Sequence, residues 1–223
     1  MIKETTKIDE YIKSLYIKYA GKYDIQPKMQ CEVLEQLLKD TDSGDILEIG
    51  AHEGNHTVLF LELAKKYNRK VFVIDPYNGQ QQGNDSVYEV FLSRTKDYDN
   101  LVHLRYPSQS DEAEELIRSN SFIYAFIDGL HTIPALEQDI NISMYSMMDN
   151  SVMCIDDSEI SGWEELWERC KIRYDSLSIV DKPVEISDDH VSANVDERLR
   201  IAENHNYGIY NPGHKKMEFL IKK

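Results

Sequence analysis

Four short stretches of this 223-residue chain carry the residue types that do chemistry together. Glu48-Ile49-Gly50-Ala51-His52-Glu53-Gly54 sets an acid and two glycines, spaced GxxxG, at the end of an apolar run. Glycines in a strand-to-helix turn let a ligand approach the backbone, and the helix that follows offers free N–H groups. The spacing is not the GxGxxG of dinucleotide folds. Val73-Ile74-Asp75 ends the next apolar run, about 20 residues on, where an acid suits ribose hydroxyls. Phe126-Ile127-Asp128-Gly129-Leu130-His131 and Cys154-Ile155-Asp156-Asp157 end two more. Asp128, Asp156 and Asp157, if they converge, repel one another unless a cation lies between them, and an all-oxygen set favours magnesium over zinc. A blander reading stands beside this one, because Asp-Gly and Asp-Asp at strand ends also form turns and cap helices.

These stretches share a place only if strands and helices alternate along the chain. Apolar runs at 45–49, 70–74, 101–104, 122–127 and 151–155 alternate with helical patterns at 54–67, 85–96, 110–119, 133–147 and 161–174, which implies βα units on a parallel sheet. The near-continuous hydrophobicity of the runs predicts strands covered on both faces. In such a sheet ligands bind outside the carboxyl ends of the strands. Trp163 and Trp167, four apart, read as core aromatics ahead of walls of a site. Upstream, 4–20 and 28–40 read as amphipathic helices, the second with Met29, Val33, Leu34, Leu37 and Leu38 on one face, packed at the sheet edge or over its top. Residues 181–206 read as a polar lid, and Tyr207-Gly208-Ile209-Tyr210 with Met217–Ile221 as a hairpin. The expected fold is a Rossmann-like α/β domain over 43–223. It has a seven-stranded, mostly parallel sheet, helices on both faces and an antiparallel C-terminal hairpin strand, with 1–42 as an N-terminal helical extension.

Composition narrows the partners. Forty acidic against 25 basic residues give a net charge of −15, which repels a phosphate backbone. Nucleic acid is therefore not an expected partner, while a small phosphorylated molecule stays open. Met1–Lys7 lacks the apolar segment of a secretory signal, and no run reaches the roughly 18 apolar residues of a membrane span. Cys31, Cys154 and Cys170 have neither CxxC nor zinc spacing. A cytoplasmic protein with reduced thiols and no membrane partner is expected, with room for a homo-oligomer.

Glu48-x-Gly50-x-x-x-Gly54 with Asp75 resembles the cofactor signature of class I S-adenosylmethionine-dependent methyltransferases. Ile74-Asp75-Pro76-Tyr77, Phe126–His131 and Cys154–Asp157 resemble a narrower group, the small metal-dependent O-methyltransferases of the macrocin type and, more distantly, the catechol type. The resemblance covers about residues 28–175 and the terminal hairpin. It implies that Glu48, Gly50 and Gly54 shape the methionine side of the cofactor pocket, that Asp75 binds the ribose, and that Ser108 or its neighbours border the adenine. Asp128 would border the cofactor and join Asp156 and Asp157 on magnesium, and His131 would be the general base. Where relatives often carry glycine before that serine, this chain has Tyr106-Pro107-Ser108. The implied function is magnesium-dependent O-methylation of a small-molecule acceptor, a sugar or catechol-like group. Two alternatives remain: a catalytically silent S-adenosylmethionine-binding protein, and an enzyme of other chemistry on the same scaffold.

Overall fold

Short runs of β-branched and aromatic residues form the strands, because such side chains fit a pleated sheet buried on both faces. They are β1 (Asp45–Ile49), β2 (Val71–Ile74), β3 (Leu101–Leu104), β4 (Phe122–Ile127), β5 (Met147–Ile155), β6 (Leu177–Ile179) and β7 (Glu218–Lys222). The helices are α1 (Ile8–Tyr19), α2 (Ile25–Asp40), α3 (Asn55–Lys66), α4 (Asp85–Thr95), α5 (Asp111–Arg118), α6 (Ile133–Ser146) and α7 (Trp163–Arg173). The computed structural model describes residues 8–19, 25–77, 85–156, 162–173, 177–179 and 218–222. Local signals set the helix starts. Ser110 caps α5 by accepting from the Ala113 N–H at 3.2 Å, and Pro134 lies in the first turn of α6, where its missing N–H costs nothing.

The strands form one sheet in the order β3-β2-β1-β4-β5-β7-β6. β1 to β5 run parallel, and β7 is antiparallel to both its neighbours. This is a Rossmann-like α/β fold. The register matters for the site, because Ile49 pairs with Ile74 and with Ile127, and Ile127 pairs with Ile155. Gly50, Asp75, Asp128 and Asp156 therefore leave adjacent strands at one level. The chain reverses its direction of travel between β1 and β4, the switch point at which ligands bind in sheets of this type.

Right-handed crossovers put α3 and α4 on one face and α5, α6 and α7 on the other, and the two cores follow suit. Phe60, Leu61 and Phe91 join Tyr124, Phe126 and Phe219 on the first face, while Ala113, Ile117, Ile140, Trp163 and Trp167 join Phe122, Ile127 and Leu220 on the second. Both tryptophans are thus core residues. On the first face the crossovers leave β4 and β5 bare, and α2 fills that space, packing on α3 and β4. The expectation that the N-terminal helices sit at the edge or over the top is corrected here, since Met29, Val33, Leu34 and Leu37 share the first core.

One further expectation changes, the start of the fifth strand. β5 begins at Met147, directly after α6, with Asn150 at φ 60° and a register break between Phe122 and Tyr124 of β4. The polar Asp149-Asn150 pair hides that early start in the sequence. On the side away from β5, β7 pairs with β6, with Ile179 opposite Leu220; the expected hairpin partner at 207–210 and the expected lid at 181–206 lie outside the described residues. Among the described residues no helix is long and apolar enough to cross a membrane.

Candidate functional site

The turn after β1 is shaped by the protein's own neighbours. Gly50 has φ +87°, and a side chain there would collide with the Asp128 backbone carbonyl. Gly54 has φ +80°, and a Cβ would stand 2.9 Å from the Phe91 ring. Left-handed backbone and close contact together demand glycine at both positions, so the GxxxG spacing has a structural cause whether or not a ligand is present. Asp75 ties this turn to the end of β2. Its Oδ2 accepts from the Ala51 and His52 N–H groups at 2.9 Å each, and its Oδ1 accepts from the Tyr77 N–H at 2.7 Å. A carboxylate offers about four acceptor sites, so capacity for one more donor remains.

Glu48 points into the apolar face shared with α3 and is 1% exposed. Thr57 donates to its Oε2 at 2.6 Å, while Oε1 is buried with no hydrogen-bond partner. Burial raises its pKa to about 8; the Thr57 hydrogen bond opposes the shift, and the nearby Asp128 and Asp75 charges add to it. It therefore carries a proton at neutral pH. His56, in the first turn of α3, lies 4.8 Å from the Phe126 ring, with Nε2 buried and unpartnered. Burial lowers its pKa against the pull of Asp128. Sequence reading missed His56, which offers no signal beyond its place two residues after Gly54.

At the end of β4, the Asp128 N–H donates to the Ile49 carbonyl at 2.8 Å, which fixes it beside the glycine turn. Its Oδ1 lies 3.1 Å from His131 Nε2, one helical step along the loop that enters α6. One strand over, the Asp156 N–H donates to the Ile127 carbonyl at 3.0 Å, and Asp156 is 9% exposed. Asp128 and Asp156 thus follow paired residues on adjacent strands. Asp157 lies outside the described residues, and among those described no group of three or more His, Cys, Asp or Glu is arranged to hold a metal.

Across the switch point, the loop after β3 carries Ser108, 7% exposed, and Gln109. The Gln109 Nε2 donates to Ser108 Oγ at 2.6 Å and to Asp139 Oδ1 at 2.9 Å. Asp139 is fully buried on α6. Burial raises its pKa to about 6 against the hydrogen bonds of Ser108 and Gln109. Sequence reading reached Gln109 only as an unnamed neighbour of Ser108 and missed Asp139, although a signal existed for Asp139. Asp139 falls on the stripe of α6 that also carries Leu136, Ile140 and Ser143, all buried, and an acid on a buried stripe calls for a partner.

With this geometry in view, comparison with known proteins gives a consistent result. A family model described as a methyltransferase domain matches residues 47–158, half of the chain. Among solved structures, the chain is similar to the O-methyltransferase from Bacillus cereus in complex with SAH, at 12% identity and a TM-score of 0.57, over 100% of this chain and 94% of that one. It is similar to a TDP-rhamnose 3'-O-methyltransferase of calicheamicin biosynthesis at 13% identity and 0.53, over 81% and 91% of the two chains. An rRNA methylase from Streptococcus thermophilus gives 12% identity and 0.53, over 86% and 96%. At these identities the likeness is one of fold. No protein of curated description matches the chain.

Proposed function

Because the chain belongs to the methyltransferase-domain family and is an S-adenosylmethionine-dependent methyltransferase, we propose that it methylates a hydroxyl oxygen of a small molecule, with magnesium at the acceptor. The observation that carries this reading is the pairing of Asp128 with His131 at 3.1 Å, beside the turn assigned to the donor. In this reading Glu48, Gly50 and Gly54 line the methionine side, Asp75 offers its remaining acceptor capacity to the ribose, and Ser108 with Gln109 borders the adenine. The donor fits the residues present in one respect, since Glu48 Oε1 is a buried polar atom with no hydrogen-bond partner beside the glycine turn.

Methyl transfer from a sulfonium is an in-line displacement. The acceptor oxygen bonds to the methyl carbon as the sulfur–carbon bond breaks, and the sulfur keeps the electron pair. The chain must align the two and take up the hydroxyl proton. His131 receives that proton, and in the tautomer with Nε2–H toward Asp128 the basic nitrogen is Nδ1. Asp128 orients the ring and stabilises the imidazolium that forms, as a carboxylate does for a catalytic histidine. Magnesium, held by Asp128 and Asp156 together with Asp157, would lower the proton affinity of the acceptor hydroxyl, and the oxygen-only donor set suits it. The net charge of −15 favours a small acceptor such as a sugar or catechol over RNA, although an rRNA methylase shares the fold.

The test is incubation with S-adenosylmethionine, magnesium and a panel of sugars, catechols and nucleosides, read by mass spectrometry. Methylation of a hydroxyl, lost on exhaustive chelation, is expected. Methylation on nitrogen would sink the O-methyltransferase reading, and turnover that survives chelation would remove magnesium.

A further inference from the structure

We propose that Tyr77 is a positioning residue for Asp75: its ring, locked in an aromatic box, holds a strained backbone that keeps the Tyr77 N–H on the Asp75 carboxylate and so fixes that carboxylate's direction. The proposal rests on the donor reading above, in which Asp75 meets the donor, and names a residue that acts on that site through another group. Tyr77 has φ +52°, a left-handed value that strains any bulky side chain. Such strain persists only where the surroundings over-determine it. Here they do. The Tyr77 ring is 6% exposed, and its centroid lies 4.8 Å from that of Tyr88 and 5.4 Å from that of Phe91, both on α4, and 5.7 Å from that of His103 on β3. Burying one aromatic side chain among three rings offsets the strain of one left-handed residue.

Two anchors meet at this residue. The Tyr77 N–H donates to Asp75 Oδ1 at 2.7 Å, which fixes the peptide plane before Tyr77, and the aromatic box fixes the ring after it. The dihedral that joins them is φ, and its left-handed value lets both be held at once. Relaxing it would move either the ring out of the box or the N–H off the carboxylate. Asp75 Oδ2 accepts from the Ala51 and His52 N–H groups, so Tyr77 supplies the donor on the other oxygen. α4 braces the glycine turn as well, since a Cβ on Gly54 would stand 2.9 Å from the Phe91 ring and Arg94 donates to the Glu53 carbonyl at 3.1 Å. The two turns that Asp75 joins therefore rest on one helix. The Tyr77 hydroxyl is buried without a hydrogen-bond partner, so ring and backbone carry the role and the hydroxyl does not.

Packing and backbone preference make opposite demands on a replacement, and this separates positioning from filling. Tyr77→Gly adopts a positive φ freely and fills nothing, whereas Tyr77→Ile keeps apolar bulk but its branched Cβ disfavours the left-handed region. Calorimetry with S-adenosylhomocysteine on the full chain reads the affinities, and thermal melts read the fold. Tyr77→Phe should bind as the wild type does. Tyr77→Gly should be less stable yet stay within about threefold in affinity, since glycine keeps the turn without strain. Tyr77→Ile should lose roughly tenfold or more, the worth of a hydrogen bond to a charged group. In an Asp75→Ala background, Tyr77→Ile should lower affinity no further, because residues that act through one group are not additive. The proposal is overturned if Tyr77→Ile binds as well as Tyr77→Gly, or if the losses add in the double variant. Should Tyr77→Ile fail to fold, a loss of about tenfold in folded Tyr77→Gly or Tyr77→Phe overturns it as well. Unchanged binding by Asp75→Ala would instead bring down the donor reading at Asp75, and this inference with it.

Discussion

A carboxyl group enclosed by apolar side chains keeps its proton where one in water would lose it, and Glu48 is in that position. Its pKa stands at about 8 in the fold against an ordinary 4.5. The folded state therefore binds more protons than the unfolded chain between these values, and stability falls as pH rises through that window, with the loss complete above about 8. Glu48→Gln keeps the acceptor for Thr57 and removes the titration. Thermal melts from pH 5 to pH 9 should show a flatter profile for the variant, which gains on the wild type toward pH 9. Parallel profiles would mean that Glu48 is ionised in the fold. His131 makes the second prediction at this scale. A positioned base contributes about 10²–10⁴-fold, so His131→Ala should lower turnover within that range, spare donor binding, and recover in part at high pH as the acceptor ionises unaided. Normal turnover at neutral pH would make His131 a bystander. Asp75, Asp128 and His131 were legible as site candidates because each stands at or just after the end of an apolar run. Gln109 and Asp139 were not read as partners, since a hydrogen bond between residues 30 apart in sequence leaves no trace in local spacing.

Elements impose their own requirements on the residues between them. The β1–α3 turn crosses the end of β4 so closely that Gly50 has no room for a side chain against the Asp128 carbonyl. Gly54 faces only the edge of the Phe91 ring, which can tilt. Both substitutions strain a positive φ, yet Gly50→Ala must also push two strand ends apart. It should cost more than ~2 kcal/mol, and Gly54→Ala less. Denaturant midpoints for the two variants check the order, and equal losses would show that backbone strain alone decides. The glycine pattern drew attention to the correct turn for a reason that was incomplete, since a ligand and a neighbouring strand exclude a side chain equally well. Element identities were legible wherever an apolar run or a helical stripe was long. The start of β5 was not, because Asp149 and Asn150 are exposed on an extension whose partner is a single residue, Met147 against Phe122.

For the whole molecule, the decisive feature is the winding of the sheet. Two crossovers leave β1 in one direction and those through β4 and β5 run in the other, so each group of helices covers its own face, and half of the first face lacks a helix from the βα units. α2 supplies it. Its apolar stripe was visible in the sequence, but its destination was not, because which part of a sheet lies bare depends on strand order rather than on any local pattern. Met29, Val33, Leu34, Leu37 and Leu38 are each no more than 3% exposed. Burying one such side chain is worth roughly 1.5–3 kcal/mol, so five together approach the ~5–15 kcal/mol that separates a typical folded domain from its unfolded chain. Ile12 and Leu15 of α1 are buried in the same core and add to the loss. A chain beginning at residue 43 would keep every residue assigned to donor, metal and base, yet would expose Tyr124, Phe126 and Val152 to water. That truncation should therefore fail to fold: circular dichroism should show no cooperative melt, size-exclusion chromatography should show aggregates, and calorimetry should find no donor binding. If the shortened chain melts cooperatively and binds S-adenosylhomocysteine as the full chain does, α1 and α2 are an appendage, and the first face must be closed by something else.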